Sequence, residues 1–233
     1  MLSTGQIEFI KGGIAVNIRS DGRKNNEVRE VKLLRSHLIC TSGSCKYEGE
    51  ITIYTGIKLE LGDQSSIKIN VSSMKRTNDE KQKALYLQEL LESLYKTDMS
   101  ELKVGQKGWV LVVEVFLLCQ IDIAYLEAIC TSIYEAMADL RIPTIKVTKN
   151  LLTEIEEYEL LPNEPTKSFK CDKIYVVGKV GTELVKDMSL EEFYSVDQKL
   201  ILAQGRNGYN KLRTFDSCGF DADDLLRVLM FIK

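Results

Sequence analysis

WVLVVEVFLLC, residues 109–119, is apolar at every position except Glu114. A run with no polar face predicts a strand in the middle of a covered sheet rather than at its edge. Just upstream the period is different. Leu87, Leu90, Leu91, Leu94 and Tyr95 fall at i, i+3, i+4, i+7 and i+8, one face of a helix that begins near Asp79. Earlier still the period is two. Ile51, Ile53, Ile57, Leu59 and Leu61 alternate with Thr52, Tyr54, Lys58 and Glu60, and residues 67–73 alternate again. Residues 30–39 and 44–47 read as extended segments joined through the Thr41-Ser42-Gly43 turn. Residues 30–73 therefore predict an antiparallel meander.

Downstream, Leu126, Ile129, Cys130, Ile133, Met137 and Leu140 mark a second amphipathic helix, stopped by Pro143. Residues 149–172 are acidic and hold Pro162 and Pro165, which predicts a long surface connection or the seam between two halves. Strand-like runs follow at 173–180, 183–187, 199–203 and 209–214. The last helix opens with Asp221, Asp223 and Asp224, acids that suit the positive end of its dipole. Strands, helix, strand, helix, strands, helix is the order of an α+β fold made of two similar halves.

Composition narrows the function. The chain has 233 residues, 31 Lys and Arg against 34 Asp and Glu, and a net charge of -3. A protein that held nucleic acid alone through phosphate contacts would show a basic excess, so any basic patch here is local or shared with partner chains. The six cysteines (Cys40, Cys45, Cys119, Cys130, Cys171, Cys218) form no CxxC, and His37 is the sole histidine. A structural zinc site is thereby disfavoured, and reduced thiols packed as small hydrophobes in an intracellular protein are expected. No apolar run reaches membrane-spanning length, and the N-terminus lacks a signal pattern, so a soluble protein without a membrane partner is expected. Asn70-Val71-Ser72 is then a chance tripeptide.

Most catalytic constellations are missing. There is no GxxxxGK[ST], GxGxxG or GxSxG, and Gly178-Lys179-Val180-Gly181 reads as a strand end. His37, among Leu33, Leu34, Leu38 and Ile39, reads as a packed strand histidine. Asp187 with Glu191 and Glu192 forms a cluster on a turn that could hold a divalent ion or share a proton, against the simpler reading of a solvated run. Glu154, Glu156, Glu157 and Glu159 read as a charge run on a loop. Candidate RNA contacts are Lys75, Arg76, Lys81 and Lys83 at the entrance to the first helix, and Arg206, Lys211 and Arg213 near the C-terminus. Aromatic interleaving is poor, so no base-stacking platform is expected.

The segments nevertheless stand in a telling order. Asp21-Gly22-Arg23, SGSCKYEGEITIYTGIKLELG (42–62), GWVLVVEVFLL (108–118) and LEAICTSIYEAMADLRIP (126–143) are collinear with the pattern of RNase PH-like exosome core chains. That pattern has a DGR arm, a GSA-x-V-x-x-G-x-T strand turn, a CWVL central strand, an A-x-x-x-A helix ending in RIP, and a D-x-T-x-EEE element, here residues 187–193. The chain resembles this family over nearly its whole length. The resemblance implies an RNase PH-like (ribosomal protein S5 domain 2-like) fold in a single domain, residues 1–233. Within it, residues 1–148 form an N-terminal half with the DGR arm, 149–172 an acidic loop, and 173–233 a C-terminal half.

The departures from the pattern bear on activity. Active relatives carry a glycine-rich turn with an arginine that receives phosphate; here the stretch is Cys119-Gln120-Ile121-Asp122-Ile123-Ala124. They also place two aspartates six residues apart. Asp187 matches the first, and Phe193 stands at the second. What the resemblance implies is a non-catalytic subunit without cofactor or metal, in which Asp187, Glu191 and Glu192 are a relic. Its partners would be other RNase PH-like exosome subunits in a six-membered ring, S1/KH cap subunits, a hydrolytic exoribonuclease and RNA, in nucleus, nucleolus and cytoplasm. The alternative is an active phosphate-dependent 3′ exoribonuclease; a third reading is an enzyme acting on a small phosphorylated metabolite.

Overall fold

The structure is a computed structural model that describes residues 2–96, 99–149, 156–161, 166–206, 208–215 and 220–232. It divides into two compact units. One comprises residues 1–30, 122–128 and 172–233; the other comprises 31–121 and 129–171.

The larger unit is built on a six-stranded sheet. Its strands are β1 (Lys32–Arg35), β2 (Gly43–Glu48), β3 (Thr52–Gly62), β4 (Ser66–Ser73), β5 (Lys103–Val104) and β6 (Lys107–Leu117), in the order β1-β2-β3-β6-β4, with β5 on β6. β1 to β3 form the expected antiparallel meander. β4 does not continue it. That strand pairs in parallel with β6, Ile69 opposite Val113, and parallel neighbours need a crossover. The crossover contains α2 (Asn78–Tyr95), capped by the Thr77 hydroxyl, which accepts from the Glu80 N–H, and packed against β4.

β6 lies centrally, as its composition predicts, but only one of its faces is fully covered. Leu111, Val113, Val115 and Leu117 are buried, whereas Glu114 is exposed and Phe116 is 37% exposed. The sequence expectation of a strand covered on both sides is corrected there. Strand composition reports apolarity, and this strand keeps Phe116 at the surface despite it.

Helix α3 (Leu126–Asp139) ends before Pro143 as expected. Ile129, Cys130, Ile133, Met137 and Leu140 are buried. The Tyr95 hydroxyl donates to the Cys130 carbonyl (3.1 Å), and Thr55 and Ser132 share a buried hydroxyl hydrogen bond (2.7 Å). β2 runs very close to the end of α3. A Cβ added at Gly43 would stand 2.7 Å from the Ala136 carbonyl oxygen and from Leu140 Cα, so only glycine fits this approach.

The acidic stretch is not simply a loop. β7 (Thr144–Lys149) and β8 (Glu156–Leu161) form an antiparallel hairpin in which Lys149 faces Glu156 and Lys146 faces Glu159. Opposite charges across the ladder let an acidic strand form. Glu156 also accepts from the Gln106 N–H (2.8 Å) and the Tyr158 hydroxyl (2.6 Å). Glu154, Pro162, Pro165 and Cys218 lie outside the described residues.

The smaller unit carries a four-stranded antiparallel sheet in the order β10-β9-β11-β12: β9 (Lys173–Val180), β10 (Glu183–Lys186), β11 (Gln198–Gly205) and β12 (Gly208–Thr214). Gly181, at φ +57°, turns β9 into β10. Val177, Leu184, Leu200 and Leu202 pack with Val228 of α5 (Ala222–Ile232). Asp221 caps α5 by accepting from the Asp224 N–H (2.7 Å), and Asp224 pairs with Lys179 of β9.

Two helices escape the periodicity reading. α1 (Thr4–Ala15) starts with a Ser3/Gln6 capping box, and α4 (Leu190–Ser195) with a Ser189/Glu192 one. His37 is also misplaced by sequence: it follows β1 in an exposed segment, its ring 5.8 Å from that of Tyr54. Cys45 and Cys130 are buried as expected, but Cys40 is exposed. Among the described residues no helix is long and apolar enough to cross a membrane.

Candidate functional site

The three acids singled out on the turn after β10 are separated by the structure. Glu191 is exposed. Glu192, in the first turn of α4, is 1% exposed and belongs to the interior. Asp187 has φ +48°, a left-handed conformation that aspartate tolerates better than most residues, and turns its carboxylate toward residues 23–29. The expectation of a solvated acidic run is therefore corrected for Asp187 and Glu192.

Both carboxylates are engaged by arginines. Arg23 Nη1 donates to Asp187 Oδ2 (2.7 Å), the Arg29 N–H to the same oxygen (2.6 Å), and Arg29 Nη2 to Oδ1 (2.7 Å). Arg29 Nε adds a contact at 3.2 Å to Oδ1 and 3.1 Å to Oδ2. A carboxylate offers about four acceptor positions, and here all have donors. Glu192 accepts from Arg19 Nε (2.7 Å), from Arg19 Nη2 and from the Ser189 N–H (2.8 Å). Arg19 spends its remaining donors on backbone: Nη1 on the Glu27 (3.3 Å) and Lys186 (3.1 Å) carbonyls, Nη2 on the Asp187 carbonyl (2.8 Å). Arg23 is further held by Asp21 (2.7 Å). Three arginines thus face three carboxylates, and the cluster is neutral.

Glu127, in the first turn of α3, lies close enough to feel this cluster. Burial pushes its carboxyl up to about 8, and the Asp187 charge adds to the effect; a hydrogen bond with the Val176 backbone and the charges of Arg29 and Lys173 pull the other way. Asp122 accepts from the Ala124 N–H (2.9 Å) and from the Tyr194 hydroxyl (2.8 Å). Burial and Asp122 together push the Tyr194 phenol upward, which keeps it a proton donor in this bond. Phe193 is 4% exposed, edge-on to Phe215 (5.5 Å between centroids) and beneath the Lys199 ammonium (5.1 Å).

Chemically, this is a filled site. An acid whose lone pairs are all engaged by fixed guanidinium and amide donors cannot take a metal or pass a proton without losing them. Arg19, Arg29, Glu127 and Tyr194 were not found by sequence; only Arg23, through the Asp-Gly-Arg tripeptide, carried a signal. The candidate RNA contacts are divided between the units, Lys75 to Lys83 in the larger and Arg206 to Arg213 in the smaller. Lys75 and Arg76 are exposed between β4 and α2, Lys81 is exposed on α2, and Lys83 pairs with Asp79 (2.8 Å). Lys211 and Arg213 lie on β12, and Arg206 at the turn before it.

No family model matches the sequence, and no curated protein matches it significantly. Solved structures do match. A chain described as "Archaeal exosome core" superposes with a TM-score of 0.68 at 19% identity, covering 97% of this chain and 91% of that one. A chain from "archaeoglobus fulgidus exosome with RNA bound to the active site" gives 0.69 at 19% identity, covering 97% and 92%. The fold is RNase PH-like.

Proposed function

We propose that the chain is a non-catalytic, structural subunit of an exosome-type ring, serving 3′-to-5′ RNA processing and degradation, ribosomal RNA maturation included. The observation that carries this reading is the Asp187 carboxylate, whose two oxygens are engaged by Arg23 and Arg29. Phe193 supports it: at the second acidic position of the pattern stands a buried ring that can neither bind a divalent ion nor transfer a proton. Asp122 supports it too, since a carboxylate in the stretch matching the phosphate turn repels the phosphate that phosphorolysis needs.

In this role the chain contributes shape. It completes interfaces with other RNase PH-like subunits in a six-membered ring, beneath S1/KH cap subunits, and RNA threads the channel toward a separate hydrolytic exoribonuclease. A near-neutral subunit suits such a ring because phosphate binding is spread over the assembly. The residues Trp109-Val110-Leu111 and Arg141-Ile142-Pro143 favour the type called ribosomal RNA-processing protein forty-two, with residence in nucleus, nucleolus and cytoplasm.

The test is to incubate the pure protein with labelled RNA, magnesium and phosphate. No nucleoside diphosphate should appear, and Phe193→Asp should not produce any, because Asp187 stays engaged and Asp122 stays in place. Diphosphate release by the unaltered protein would establish the active phosphorolytic alternative instead.

A further inference from the structure

A cavity of about 630 Å³ lies within the smaller unit, bounded by β10, by α5 and by residues 17–26. None of the arginine–carboxylate cluster lines it. Its size is in the range of ordinary ligand sites. Leu184, Met230 and Phe231 give it an apolar side, and Lys24 and Arg227 supply cations against the single carboxylate of Glu183. Lys186, whose ammonium sits 5.6 Å above the Phe231 ring, adds to the positive balance.

Two further features say what kind of molecule fits. β10 is an edge strand, paired only with β9. At its C-terminal end the outer edge is already used: the Lys186 N–H donates to the Asn25 carbonyl (3.2 Å), and the Lys186 carbonyl accepts from Arg19 (3.1 Å). In an antiparallel strand the backbone of alternate residues points the same way. Leu184, two residues back and on the cavity wall, therefore turns its own N–H and carbonyl to that outer edge. The same wall holds Asn25, 4% exposed, whose Nδ2 donates to the Ile14 carbonyl (2.8 Å) while its Oδ1 is buried without a donor. An occupant that brings an N–H, or traps a water, at this wall supplies the missing partner.

We propose that this cavity docks an extended acidic segment of a partner protein, which adds along the outer edge of β10 at Leu184. The segment's main chain pairs with the backbone of Leu184, its apolar side chains meet Met230 and Phe231, and its carboxylates meet Lys24 and Arg227. A nucleotide would use the cations and the ring but not the strand edge. The proposal is independent of the ring reading, because docking requires no neighbouring subunit and no statement about catalysis.

The full chain is titrated, by fluorescence polarisation, with a fluorescein-labelled hexapeptide of alternating valine and aspartate. The expected result is saturable binding that Lys24→Glu and Arg227→Glu each weaken at least tenfold, with circular dichroism unchanged. N-methylation of alternate peptide nitrogens should weaken it as much, and the lysine counterpart of the peptide should not bind. Adenosine monophosphate and a short uridine oligonucleotide are run as competitors. Absence of saturable binding by this peptide and by a leucine–glutamate one, binding that survives N-methylation, or binding of the nucleotides in place of the peptide would each overturn the proposal.

Discussion

Arg19 and Glu192 have side chains 0% and 1% exposed, so neither can fall back on water if the other is removed. Glu192→Gln leaves a guanidinium buried without its counter-charge, and breaking such a pair costs about 3–5 kcal/mol. Urea unfolding should show that loss, and the double change Arg19→Met with Glu192→Leu should recover a good part of it, since the desolvation of both charges disappears together. Glu127 makes a pH prediction. Its folded carboxyl titrates near 8 against an ordinary 4.5. Between those values the folded chain binds more protons than the unfolded one, so stability falls as pH rises through this window and levels above about 8. Glu127→Gln should flatten the decline, measured as unfolding midpoint against pH; an unchanged slope would remove Glu127 as its source. Little of this was legible in advance. Asp187 and Arg23 are 164 residues apart, Arg19 and Glu192 173, and spacing carries no information at that range. The acids were visible as a cluster; their partners were not.

At the level of strands and helices the sequence speaks more clearly, and its failures have physical reasons. β3, β6, β9, α2 and α3 were legible because each buries one face, or most of itself, with its own period. β4 alternates as expected, but alternation does not name a neighbour, and only the intervening α2 makes the parallel pairing with β6 possible. The acidic hairpin was missed because its glutamates look like a solvated run until β7 supplies Lys146 and Lys149 opposite them. α1 did carry a signal: Ser3 and Gln6 form a capping box ahead of Ile7, Ile10 and Ile14. Gly43 gives a test at this scale. Gly43→Val places branched carbon against the α3 backbone, and overpacking of this kind costs about 1–3 kcal/mol; a thermal melt should show it, while Gly12→Ala, with open space around it, should not lower the midpoint.

For the molecule as a whole, the proposed role makes a prediction about behaviour in isolation. The larger unit leaves Ile39 98%, Met74 65% and Leu118 42% exposed, and a ring subunit needs such surface for its neighbours. Purified alone, the chain should self-associate in sedimentation, and co-expressed with other RNase PH-like chains it should purify in fixed stoichiometry with them. A stable monomer with no affinity for such chains would count against the ring.

The smaller unit is sewn from both ends of this sequence, and that fixes a timetable for its birth. Arg19 leaves the ribosome long before Glu192 exists. At about 5–20 residues per second, the 173 residues between them take roughly nine to thirty-five seconds to synthesise. During that interval Arg23 has only Asp21, while Arg19 and Arg29 have neither Glu192 nor Asp187 to clasp, and this is when a nascent chain has most need of a chaperone's cover.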